Sequence, residues 1–170
     1  SDFTDQSAIS SKITGDDLFV CLGTTIKKAG SVANMEKIDR DLPVMAATIA
    51  FSNGINRVAV VSSIGATAGS KNYYLRIKGE MEEAILKLGF EKIVIARPSM
   101  LLGDRKERRA GEMFGKVVMK TVRPMLAGKL RKFRAIHGRD VAKAMISLLQ
   151  GDPGNMIVES DELQRIARSY

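Results

Sequence analysis

At 170 residues, 45% hydrophobic and 27% charged, the chain has the size and composition of one globular domain able to bury its own core. This excludes a disordered tail, a collagen-like repeat and a coiled coil, and apolar runs such as Val58 to Val61 fall far short of the ~20 residues of a membrane span. The net charge of +8 is concentrated: residues 105–134 hold eleven Lys/Arg and two acids, leaving 16 basic against 17 acidic residues elsewhere.

In chain order, residues 17–23 form a short apolar run ended by glycine, expected as a strand buried on both faces. Residues 24–31 read as a polar loop. From Met35 to Asn53 apolar residues recur at the helical period, and Asn53-Gly54 ends the helix. Residues 57–63 form a β-branched strand closed by two serines, and 65–72 a loop. The spacing predicts a helix over 74–88, then a strand over 92–98 stopped by Pro98. Residues 111–126 are expected as a helix, 131–136 as a short strand and 138–149 as a helix with Asp140 near its N-terminus. A turn at 151–155, a strand at 156–159 and a helix at 161–169 complete the chain. Strands alternating with helices, and continuous rather than alternating apolar strands, predict α/β architecture with a doubly wound parallel sheet.

Chemistry concentrates on Ser62 and Ser63 at a strand end, then Tyr74, then Lys78. Tyr74 and Lys78 are four residues apart and share one helical face. A parallel sheet places its ligand site at the carboxyl ends of its strands, where the serines fall. A phenol is a poor acid or base near neutrality, but a neighbouring ammonium favours the phenolate. Tyr74 can then exchange a proton with a carbonyl or alcohol oxygen that a serine holds. Lys78 can also reach a ribose hydroxyl. The bland alternative is a surface tyrosine and a snorkelling lysine.

The stretches Val61-Ser62-Ser63-Ile64-Gly65-Ala66, Tyr74-x-x-x-Lys78-Gly79-Glu80 and Ala96-Arg97-Pro98 resemble the short-chain dehydrogenase/reductase superfamily. More narrowly, Cys21-Leu22-Gly23-Thr24-Thr25, Asp39-Arg40-Asp41 and Arg97-Pro98-x-x-Leu101-Leu102-Gly103-Asp104-Arg105 resemble its atypical branch that includes the Tat-interacting-protein oxidoreductase. Bacterial members of that branch often carry the label nucleoside-diphosphate-sugar epimerase. The resemblance implies a Rossmann-like fold, NADP or alternatively NAD as cofactor, and roles residue by residue. Tyr74 matches the proton donor/acceptor, Lys78 its partner, and Ser62 or Ser63 the substrate-orienting serine. Spacing to the tyrosine favours Ser62, and position at the strand end favours Ser63. Leu22, Gly23 and Thr24 match the loop past the adenosine and pyrophosphate side. Arg97, Pro98 and Leu101 match the segment against the nicotinamide end, and Arg109 a basic residue facing the cofactor or its entrance.

The family's opening strand and glycine-rich turn, which seats a pyrophosphate on a helix N-terminus, have no counterpart. The expectation is therefore a single partial NAD(P)-binding domain over 1–170, lacking its first strand-helix-strand unit, with residues 105–136 covering the substrate cleft. Such a chain is expected to bind dinucleotide badly and to expose a sheet edge.

The leading expectation is an NAD(P)-dependent oxidoreductase acting on a carbonyl/alcohol substrate, or a nucleotide-sugar epimerase using the same transient oxidation. The competing reading is a dinucleotide-sensing regulatory or scaffold protein acting through protein partners. The basic stretch suits an anionic small-molecule substrate or a solvated helix face. Nucleic acid is disfavoured, since aromatics are 5% of the chain. No membrane partner is expected, and the oligomer is expected to be a monomer or homodimer. With no Cys/His cluster there is no metal site, and Cys21 is expected to be a packing residue. His137 is read as a structural turn, and the methionines as core. With no signal peptide at Ser1-Asp2-Phe3, a cytoplasmic location is expected.

Overall fold

A computed structural model describes residues 9–102 and 128–170. In chain order the elements are β1 (Asp17–Val20), α1 (Ile26–Ala29), α2 (Val32–Glu36), a π turn (Lys37–Asp41), α3 (Leu42–Ser52), β2 (Arg57–Val61), α4 (Tyr73–Leu86), β3 (Lys92–Arg97) and β4 (Leu101–Leu102). After a 3-10 turn (Gly128–Phe133) come β5 (Ile136–His137), α5 (Gly138–Leu149), β6 (Gly154–Glu159) and α6 (Ser160–Ser169).

The main sheet is parallel throughout, in the order β1-β2-β3-β6. Leu18 stands beside Val58, Val58 beside Ile93, and Ile95 beside Ile157. Short strands β4 and β5 make a separate parallel pair. Because strand side chains alternate, β2 and β3 feed two cores at once. Val58, Val60, Ile93 and Ile95 pack with Ala47 and Ala50 of α3 and with Met81 and Ile85 of α4. Ala59, Val94 and Ala96 pack with Val141, Ala144, Met145 and Leu149 of α5 and with Leu163 of α6. This double cover explains the unbroken apolar strands and establishes the doubly wound Rossmann-like architecture.

Several local expectations are corrected. The first strand is shorter than residues 17–23 and is not buried on both faces: Phe19 is 41% exposed on it, with Leu22 and Cys21 exposed beyond its end. Cys21 is thus not a core packing residue. A short helix, α1, interrupts the 24–31 loop, because Thr25 caps its N-terminus and Gly30 closes it with a φ of 75°. Residues 131–136 are not a strand; a 3-10 turn runs through Phe133, and pairing is confined to Ile136 and His137. His137 is exposed at the N-cap of α5 without a capping side-chain bond. Met35, Met81 and Met145 are buried as expected, whereas Met100 and Met156 are exposed. The expected helix at 111–126, Arg109 and most of the stretch assigned to the cleft lie outside the described residues. Among the described residues no helix is long and apolar enough to cross a membrane, and no three His/Cys/Asp/Glu side chains are grouped to hold a metal.

Candidate functional site

The site lies at the carboxyl ends of β1, β2 and β3, where three loops meet the first turns of α4. That helix is started by Asn72, whose side chain accepts the Leu75 N–H at 3.2 Å. The cap puts Tyr73 and Tyr74 in the first turn and Lys78 in the second. Ile77, Met81 and Ile85 turn inward, and this drives the neighbouring Lys78 and Glu82 out of water with them.

Lys78 is 2% exposed, so it is not a snorkelling surface lysine. Its Nζ lies 3.1 Å from Asp39 Oδ1 and donates to the Leu22 carbonyl at 3.4 Å. Asp39 is fully buried, and its Oδ2 accepts the Thr24 N–H at 2.9 Å. A Cβ on Gly23 would stand 3.3 Å from Asp39 Oδ1 and 3.8 Å from Lys78 Nζ. Leu22, Gly23, Thr24 and Lys78 are therefore brought together, as the sequence suggests, but around an aspartate it did not place there. The signal for Asp39 is Pro43 four residues later. Proline has no N–H to give the Asp39 carbonyl, and its ring clashes there. The helix widens into the π turn, in which the Leu42 N–H reaches back to the Lys37 carbonyl.

Ser62 and Ser63 follow β2 directly. Ser62 N–H donates to the Ala96 carbonyl at 2.8 Å and Ile64 N–H to the Pro98 carbonyl at 3.1 Å, so the serine loop and Arg97-Pro98 are stitched together. The Ser62 hydroxyl is buried and meets no hydrogen-bond partner among the described residues. Ser63 is half-buried, its hydroxyl 3.5 Å from the Ile64 carbonyl. The serine loop then crosses α4 at Gly79, where an added Cβ would come within 2.2 Å of the Thr67 carbonyl carbon.

The two tyrosines differ. Although Tyr73 and Tyr74 are both half-buried and pack against the cluster of Ala29, Met35 and Ile77, Tyr73 has charged neighbours that set it apart. Tyr73 lies under the Arg76 guanidinium, 5.0 Å from its ring centre. Burial of the Tyr73 hydroxyl, with the Glu36 carboxylate beside it, pushes that phenol up to about 12, a poor proton donor near neutrality.

Arg97 is held by Glu82 in a two-pronged pair, Nε to Oε1 at 3.0 Å and Nη2 to Oε2 at 2.5 Å. Glu82 lies one turn beyond Lys78 on the same helical face, a spacing visible in the sequence. The guanidinium thus fastens β3 to α4. Leu101 sits in β4 and packs against the core under α5 and α6, away from Lys78's side of the sheet. Glu82→Gln strips the charge from the pair and should lower stability by about 2–3 kcal/mol, less than a fully buried pair because the Arg97 side chain keeps 20% exposure. Thermal unfolding should show a midpoint about 4–12 °C lower.

No protein-family model matches the chain. Among curated proteins it is 36% identical over 170 residues to the mitochondrial protein FMP52 of Candida albicans, covering 95% of this chain and 73% of that protein. The Debaryomyces hansenii FMP52 is 37% identical over 161 residues, with 89% and 69% covered. Rat HTATIP2 is 38% identical over 112 residues, with 65% and 46% covered. Among solved structures, Bacillus anthracis dTDP-4-dehydrorhamnose reductase in complex with NADP superposes with a TM-score of 0.64 at 15% identity, covering 94% of this chain and 62% of that one. Thermotoga maritima UDP-glucose 4-epimerase with UDP-glucose gives 0.64 at 10% identity, with 97% and 65% covered. The chain thus spans less than two thirds of those structures, which share its fold. The expectation of a cytoplasmic protein is overturned, since the FMP52 relatives are named mitochondrial and composition carries no address. The chain belongs to the family of the FMP52 proteins, is similar to HTATIP2 over part of its length, and has the Rossmann-like fold of these reductase and epimerase structures.

Proposed function

We propose that the protein containing this chain is an NAD(P)-dependent oxidoreductase that moves hydride between a nicotinamide and a carbonyl/alcohol carbon. The observation that carries this reading is Lys78, a buried ammonium one helical turn beyond Tyr74, set against the Leu22–Thr24 loop at a sheet's carboxyl end. An ammonium has three donors. One is given to the Leu22 carbonyl, the ammonium meets Asp39 as an opposite charge, and donor capacity remains that suits a ribose hydroxyl or the Tyr74 oxygen. Gly23, which has no side chain to fill the space over that pair, gives a dinucleotide close approach to the backbone.

Within this reading the nicotinamide supplies or accepts the hydride. Tyr74 exchanges the proton with the substrate oxygen, and Lys78 stabilises the phenolate form of Tyr74. Ser62 is preferred over Ser63 as the orienting serine, because its buried hydroxyl lacks a partner that a substrate oxygen would supply. Arg97 sets the spacing between β3 and α4 through Glu82. NADP is preferred over NAD, and an anionic substrate such as a nucleotide sugar suits the basic stretch at 105–134.

The test is an NADPH titration of the intact protein followed by nicotinamide fluorescence, then absorbance at 340 nm with a panel of aldehydes, ketones and nucleotide sugars. Saturable binding with NADPH consumption is the expected result. Sugar interconversion without net consumption would indicate an epimerase. Binding without turnover on any member would favour the sensing role, and absence of binding would remove both.

A further inference from the structure

The buried carboxylate of Asp39 has no place in the Ser-Tyr-Lys scheme, yet it touches both halves of the site. We propose that Asp39 is a positioning residue that couples the Gly23–Thr24 loop to Lys78, so that dinucleotide affinity depends on its charge through the lysine. The inference rests on the oxidoreductase reading for its ligand, and on the geometry alone for the coupling.

Each part of the geometry points the same way. The Lys78 and Asp39 side chains are 3% and 0% exposed, so neither charge is tolerable without the other. One carboxylate oxygen is spent on the Thr24 N–H. The other, Oδ1, faces the ammonium at 3.1 Å but has no donor with hydrogen-bond geometry. Their attraction is therefore mainly that of opposite charges, with acceptor capacity left over on Oδ1. Gly23 lies directly over this unfilled oxygen, on the side open to solvent. The other charged group on that face of α4, Glu82, is engaged by Arg97. Asp39 is thus the carboxylate that meets the Lys78 charge, and the π turn forced by Pro43 is what aims it inward.

A substitution series separates the two contacts. Asp39→Asn keeps an oxygen for the Thr24 N–H and removes the charge facing Lys78, whereas Asp39→Ala removes both. In the intact protein, Asp39→Asn should weaken NADPH at least 10-fold by fluorescence titration. In a Lys78→Met background the same change should add less than about 2-fold, while Asp39→Ala still adds a loss through the loop. A folded Asp39→Asn protein with unchanged affinity, or equal losses in both backgrounds, would overturn the proposal. Thermal unfolding keeps the question decidable if single variants fold poorly. The Asp39→Asn/Lys78→Met double variant should melt above at least one single variant, because both charges leave together. A double variant that falls by the sum of the singles would also overturn it. Should the unmodified protein bind no NADPH, the oxidoreductase reading fails on its own, and the melting cycle alone decides whether Asp39 and Lys78 act as a unit.

Discussion

Gly79→Ala should destabilise the protein by about 4 kcal/mol or more, an unusually large effect for a single added methyl. The new Cβ would fall 2.2 Å from the Thr67 carbonyl carbon, 2.3 Å from the Ala68 nitrogen and 2.5 Å from the Thr67 Cα. All three are backbone atoms, so no side chain can swing aside to relieve the overlap. The loop must lift off α4 instead, and two features resist this. The Thr67 N–H donates to the Leu75 carbonyl at 3.1 Å, and Ala66 is buried. Lifting the loop also moves Ser62 and Ser63 relative to Tyr74 and Lys78, so dinucleotide and substrate binding should fall together. Thermal unfolding should show a midpoint lower by about 8–16 °C for a chain of this size. A drop below about 3 °C would mean that the loop does not rest on the helix as described.

Tyr74→Phe should reduce turnover by about 10²–10⁴-fold, the range for losing a positioned general acid or base. NADPH affinity should stay within about 2-fold, because Lys78 keeps its contacts with Asp39 and Leu22 without the phenol. The two measurements are the rate of NADPH oxidation with a carbonyl compound accepted by the unmodified protein, and the fluorescence titration. Tyr73→Phe is the matched control. Its phenol faces Glu36 and holds its proton up to about 12, so losing that hydroxyl should leave the rate unchanged. Equal losses in the two variants would reduce Tyr74 to a packing residue, and full activity in Tyr74→Phe would remove the mechanism.

The elements that sequence alone established are those whose signals are local. The residues at 57–61 and 92–97 are apolar without alternation, which a strand covered on both faces requires. The α5 boundaries match the apolar period at 138–149. That Tyr74 and Lys78 share one helix, and that the paired serines stand at the carboxyl end of a strand, was legible because a helix repeats every 3.6 residues and the apolar run stops at Ser62. The edge of the sheet was less legible. Phe19 and Leu22 satisfy the same apolar pattern as a buried strand, so although an exposed sheet edge was expected, the pattern at 17–23 did not show that β1 is the strand that forms it.

Only the tertiary structure decided what Lys78, Arg97 and Gly79 meet. Asp39 and Lys78 are 39 positions apart, and Glu82 and Arg97 are 15 apart. Such pairs leave no periodic trace, because a carboxylate on a helix reads the same in sequence whether it faces water or a buried cation. Burial separates those cases: out of water, Asp39 must be met by Lys78 and Glu82 by Arg97, and the stacking of layers that buries them is a property of the whole fold. Gly79 follows the same rule, since the loop that excludes its side chain is brought over α4 by the return of the chain from β2. Sequence determined which chemical groups stand at this end of the sheet, and packing decided which of them pair with one another, because only burial forces a charge to find its partner.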